Sequence, residues 1–101
     1  ISPELIRLSN GLLVRLIGVR ENKAANGLAV NFIIEKTRGQ KVFLKYDQQK
    51  HDNQDRLLCY VYLKNKTFLN AHLIKEGFVD VDYSIDFRYK DKFMKLGALH
   101  G

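Results

Sequence analysis

Arg15 sits inside a run of leucine, isoleucine and valine, and Arg56 opens another such run. A guanidinium there presents a planar, permanently charged fork suited to phosphate or carboxylate oxygens. Two uses are open from the residues alone. The pair can hold phosphate. Alternatively, Arg56 pairs with Asp52 or Asp55 and pins its loop, while Arg15 pairs across strands with a buried acid. Arg20, Lys23, Lys45, Lys50 and His51 can line a cationic rim that follows a phosphate backbone, or form a solvated edge. Tyr46, Tyr60, Tyr62 and Tyr83 offer rings to bases or to strand neighbours. His72 and Glu76 stand four apart, the spacing of two ligands on one helix face, but two ligands do not make a metal site. Cys59 is the single cysteine and reads as a small buried apolar residue. Alone, it excludes a disulfide framework and a multi-cysteine zinc site. No Ser-His-Asp or Cys-His pattern supports covalent catalysis.

The charge balance agrees with an anionic partner. Lys plus Arg is 17 and Asp plus Glu is 11, a net charge of +6. Such a domain is drawn to phosphate polymers and anionic surfaces, although the charge also lies within the range that serves solubility. No apolar run approaches the ~18 residues of a membrane span, and Glu4 and Arg7 interrupt any signal-like start. These features predict a soluble, cytoplasmic domain. The 101 residues suit one domain. The chain starts at Ile1 without an initiator Met, which reads as a piece of a longer protein or as a processed one. There is no repeat, low-complexity segment or block of like charge.

The elements that must position these residues follow from patterning. Leu5, Ile6 and Leu8 precede Asn10-Gly11, a hairpin signal because both turn residues tolerate positive φ. The partner strand is read over 12–19, with Arg15 its odd residue, and 20–23 as a loop. Apolar residues at spacings of three and four predict a helix over 24–37, its stripe formed by Ala25, Leu28, Ala29, Phe32, Ile33 and Lys36 and its end marked by Gly39. A strand over 41–47 precedes an exposed loop over 48–55. A strong strand over 56–63 turns at 64–66 into a short strand over 67–69. Asn70 is read as the N-cap of a helix over 71–76 that Gly77 ends. Residues 78–83 are extended. Asp86 is read as the cap of a last helix carrying Tyr89, Phe93 and Leu96 on one stripe. The order suggests an α+β domain, a small OB-like barrel plugged by helices, whose open face takes oligonucleotides.

Three blocks resemble those of staphylococcal nuclease-like domains. They are Val14-Arg15-Leu16-Ile17-Gly18-Val19, then the strand 56–62 opening with Arg56, then 68–78 around Asn70 and Gly77. They come in the family's order, with the helix of 24–37 between the first two, and the resemblance spans about 5–96. It implies a five-stranded OB barrel with about three helices. The family's enzymes cut the DNA and RNA backbone with calcium, two phosphate-binding arginines and a glutamate proposed as general base. By position, Arg15 and Arg56 match the two arginines, and Tyr83 matches a nucleotide-stacking aromatic. Gln54 stands where another tyrosine would be. Arg20 stands at the calcium-binding aspartate and Lys23 at the glutamate. A cation cannot ligate calcium, and a lysine is a poor base at neutral pH. The other metal aspartate has Glu4 at best. A gap in the loop would move Glu21 into the glutamate's place.

The stretches 5–19 and 60–82 also resemble a nuclease-like domain appended to some bacterial DNA-modification methyltransferases. The chain has no glycine-rich loop for S-adenosylmethionine and no Asp-Pro-Pro-Tyr-like or Asn-Pro-Pro-Tyr-like motif, so that resemblance implies an accessory domain. The expectation is a non-catalytic module without a cofactor. It would bind nucleic acid, DNA in the first instance, through Arg15, Arg56, Arg20, Lys23, Lys45 and Tyr83, beside the remainder of a parent protein and away from membranes. One alternative is a calcium-dependent nuclease using Glu21, Asp47 or Asp52. Another is a protein-interaction domain.

Overall fold

The structure is a computed structural model that describes residues 4–8, 11–39 and 41–98. Strand β1 (Leu5–Arg7) runs antiparallel to β2 (Leu13–Leu16), with Leu5 opposite Arg15 and Arg7 opposite Leu13. Gly11 has φ +86° and its amide bonds Leu8, so the expected hairpin forms; Asn10 lies outside the described residues. Alternation along β2 buries Val14 and Leu16 completely and leaves Arg15 on the opposite side.

The strand expected over 12–19 is two strands. It breaks at Ile17-Gly18, and β3 (Val19–Glu21) leaves for a second sheet. Gly18 makes this bend, with φ +78°; a Cβ there would stand 2.6 Å from the Phe87 ring and 2.8 Å from Phe93. The loop expected over 20–23 is therefore half strand. Arg20 and Glu21 pair with Asp80 and Val79 of β6 (Val79–Val81). A polar edge strand carries no hydrophobic alternation, which is why it reads as a loop.

A 3-10 turn over Lys23–Ala25, capped by the Asn22 side chain, leads into α1 (Asn26–Thr37). Of the expected stripe, Ala29 and Ile33 are buried, while Leu28 is 58% exposed. Gly39, at φ +67°, ends the helix as expected. Strand β4 (Val42–Lys45) is shorter than expected and leaves Tyr46 outside it. Strand β5 (Leu57–Leu63) lies between β2, parallel to it, and β4, antiparallel, giving the order β1-β2-β5-β4.

The strand expected over 67–69 is a single bridge, Phe68 to Tyr62, and helix α2 (Leu69–Lys75) starts at once. Asn70 is not its cap. It lies inside the helix, fully buried, with its amide turned into the sheet. Helix α3 (Lys90–Ala98) buries Phe93, with Tyr89 and Leu96 packed against the core. Asp86 does not cap it. The amide of Arg88 bonds the Asp47 carboxylate at 2.7 Å, so the approach to α3 is held from beside β4. The fold is α+β and barrel-like, but the expected five-stranded barrel is six strands in two sheets that do not join among the described residues. No helix among the described residues is long and apolar enough to cross a membrane.

Candidate nucleic-acid interface

Two neighbouring clusters hold the arginines. In the first, Arg15 donates to Glu4 at 3.1 Å and lies 3.6 Å from Asp82. Arg20 reaches the other oxygen of Asp82 at 3.4 Å. Asp82 is buried and also accepts from the amide and hydroxyl of Ser84. Burial pushes this carboxyl up; the Ser84 bonds and the Arg20 and Arg15 charges outweigh it and hold it below its ordinary value. Glu4 accepts from the amide of Glu21 at 2.7 Å, and Asn26 donates to the Glu21 side chain at 3.3 Å. The bend at Gly18 is what brings β3, and so Arg20, to Asp82 just past β6.

In the second cluster, Arg56 donates from Nε to Asp52 at 2.8 Å. The other Asp52 oxygen takes the amides of Gln54 and Arg56 at 2.9 Å each. Burial raises the Asp52 carboxyl, but these bonds and the Arg56 charge bring it below its ordinary value. Asp55, at φ +60°, turns the loop back toward the strand. Arg15 pairs with Leu58, and Arg56 precedes Leu58 by two, so alternation puts both arginines on one side of the sheet. Each guanidinium is thus oriented by a carboxylate, and an incoming phosphate must share or displace that partner.

The remaining expected residues lie apart from this pair. Lys23 is exposed on the 3-10 turn, and Lys45 lies 5.3 Å over the Tyr62 ring. Tyr83 is 64% exposed and lines, with Arg20, Asn22 and Asp80, an open cleft of about 460 Å³ floored by Ile74, Val79 and Val81. A second cleft of about 710 Å³ runs past Leu58, Ile17, Tyr46, Phe87 and Arg88, with Asp47 and Asp86 in its wall. Asp47 bonds the Tyr60 hydroxyl and the amides of Arg88 and Gln48. Burial raises its carboxyl, and these bonds take it below its ordinary value. Sequence reasoning did not find Asp82 as the hub; a lone aspartate after a short extended segment carries no such signal.

A calcium ion needs six to eight oxygens. Of the carboxylates beside Arg15, Glu4 has both oxygens hydrogen-bonded, and Asp82 has one bonded to Ser84 and Arg20 and the other facing Arg15 at 3.6 Å, so two guanidiniums stand among them. Among the described residues no group of three or more His, Cys, Asp or Glu converges on a point. The donor set does not fit a calcium ion.

The fold is that of a nuclease-fold module compatible with nucleic-acid binding. The chain belongs to the staphylococcal nuclease homologue family, whose family model matches residues 14–98. No curated protein matches it.

Proposed function

We propose that this domain binds the phosphate backbone of nucleic acid, DNA in the first instance, without cutting it, as an accessory to a DNA-modifying methyltransferase. The observation that carries the reading is the meeting of Arg20 and Tyr83 on one open cleft beside the ion-paired Arg15. A guanidinium takes the phosphate and the exposed ring takes the neighbouring base. Arg56 lies on the same side of the sheet as Arg15, and Lys23 is exposed on the 3-10 turn that follows β3. Hydrolysis would need a metal or a base beside the phosphate. Arg20 and Lys23 stand where the resemblance puts those carboxylates, and Asp47 and Asp52 are engaged in structural bonds. Backbone contacts of this kind are electrostatic and largely independent of sequence, so the module adds local affinity to whatever it is joined to.

The test is fluorescence anisotropy with labelled single- and double-stranded DNA in the presence of calcium, with the probe length checked on a gel. The expected result is a bound, intact probe whose binding drops when Arg15 and Arg20 become alanine. A shortened probe would restore the nuclease, and no binding at low salt would overturn the reading.

A further inference from the structure

The charge of +6 is not spread evenly. Segments 36–46 and 56–75 carry eight of the 17 Lys and Arg and none of the 11 Asp and Glu. Glu4, Asp52 and Asp82 are instead the carboxylates that pair with the arginines described above. Four of the eight cations, Lys41, Lys45, Lys64 and Lys66, lie on or beside β4, β5 and the turn after β5 and make that face basic; Lys36, Arg38 and Lys75 lie toward the ends of α1 and α2, and Arg56 belongs to the arginine clusters.

That face is also aromatic. Phe43 of β4 pairs with Tyr62 of β5, so their side chains share one side of the sheet, and Phe43 is 52% exposed. Tyr62 stacks on Phe68, with centroids 4.6 Å apart and planes 17° off parallel, and Phe68 meets Tyr89 edge-on at 5.3 Å. Cations stand over these rings. Lys45 is 5.3 Å from the Tyr62 centroid, Lys92 5.7 Å from Phe68, and Arg88 5.8 Å from Tyr89. All three cations are exposed. Ring contact holds each charge at the surface without neutralising it. Lys64 and Lys66 flank the turn, and Lys41 lies just beyond the last pair of the ladder, Val42 with Leu63, as Lys64 does on the other strand. Gathering like charges costs stability unless an anion lies between them. The nearby acids answer only part of this charge. Asp91 is the position before Lys92 on α3, about 100° round the helix; Asp47 is bonded to Tyr60 and backbone amides, and the Arg88 charge helps hold its carboxyl below its ordinary value.

We infer that the β4–β5 edge, on the same side of the sheet as Arg15 and Arg56 but two strands away from Arg15 and apart from the Arg20–Tyr83 cleft, is a second contact surface, and that it takes single-stranded nucleic acid. The inference rests on the nucleic-acid reading above. Lys45, Lys64 and Lys92 follow the phosphates, and the open Phe43 ring stacks on a base. A single strand fits because its bases are free to stack, which a duplex does not allow.

Three proteins test this by anisotropy with a labelled single-stranded oligonucleotide: the wild-type chain, Phe43→Ala, and the triple variant Lys45→Ala, Lys64→Ala, Lys92→Ala. All substituted residues are exposed or rim positions, and circular dichroism checks the fold. The triple variant is expected to lose roughly tenfold in affinity and to flatten the slope of log K against log salt by about 2, at ~0.7 per phosphate. Phe43→Ala is expected to lose about fivefold or more. Amide signals of 42–45 and 62–68 should shift on titration. If the wild type binds and both variants bind equally well, this face is overturned while the arginine reading stands. If the wild type binds neither single nor double strands, the nucleic-acid reading itself fails. Equal competition by polyglutamate would also overturn the inference, because the face would then be a generic polyanion surface.

Discussion

Replacing Asn70 by leucine should remove a large share of the domain's stability, although neither the charge nor the branching of the side chain changes. The Asn70 carboxamide oxygen accepts from the Val61 amide at 2.9 Å. Its nitrogen donates to the Ile17 carbonyl at 3.0 Å and the Cys59 carbonyl at 3.2 Å. These bonds lie where β2 ends at the bend, so the side chain continues the β2–β5 ladder and joins α2 to it. In Asn70→Leu the Cys59 carbonyl still receives the Ile17 amide at 3.1 Å. The Val61 N–H and the Ile17 carbonyl lose the partner Asn70 gave them. Each buried orphan costs about 1–3 kcal/mol, and the added leucine methyls return about 1 kcal/mol, leaving a net loss of about 3 kcal/mol. Against a total of about 5–15 kcal/mol this is severe. Urea unfolding followed by far-ultraviolet circular dichroism measures it. The midpoint should fall with the m-value unchanged, and Tm should drop by roughly 12 °C or more. A loss below about 1 kcal/mol would refute the claim that this amide completes the ladder. Asn70→Asp gives an internal check. Its acid form must be protonated to donate to a carbonyl, so its folded pKa lies above the unfolded value. Its stability is present at low pH and lost as pH rises, the reverse of the wild type.

Three further outcomes follow from the same geometry. Asp82→Asn removes the charge that Arg15 and Arg20 share, so affinity for a DNA probe should rise about threefold or more at low salt; a fall in anisotropy-measured affinity would contradict the cleft's role. Asp47, Asp52 and Asp82 are held below their ordinary value of 3.8, so their contribution is complete above about pH 4 and is lost as pH falls through their folded values. Tm should therefore stay level from neutrality to about pH 5 and fall below about pH 4, and a domain equally stable at pH 2 would contradict these bonds. Cys59 is fully buried and burial pushes its thiol up to about 11, so a thiol reagent at pH 8 should label it only as fast as the chain unfolds; rapid labelling without denaturant would show an open barrel.

Much of the fold was legible in the sequence because burial imposes period. Alternation around Val14 and Leu16 marked β2, and the apolar run from Leu57 marked β5. Gly39 and Gly77 marked helix ends by their tolerance of positive φ. What escaped was set by distant partners. Arg20 and Glu21 look like a loop because their strand is polar and finds its mate 58–60 residues later. Asn70 looks like a cap because asparagine favours caps, while its amide is spent on β5 and the Ile17 carbonyl. Asp86 looks like a cap because aspartate favours caps, yet α3 begins four residues later and Asp47 holds the Arg88 amide across the fold. At the site, Arg15 and Arg56 stood out as charges among apolar residues. The Asp52 partner was in view from its spacing, but Asp82 and Glu4 were not, because only the hairpin and the β3–β6 pair bring them to Arg15.

The most direct test of phosphate-backbone binding is the slope of log affinity against log salt for the wild-type chain on a short DNA probe. Each neutralised phosphate contributes about 0.7–0.9 to that slope. Contacts through Arg15, Arg20 and neighbouring cations predict a linear fall with a slope between about −2 and −4, on a probe that stays full length with calcium present. A slope near zero, or no binding at the lowest salt, would contradict the account.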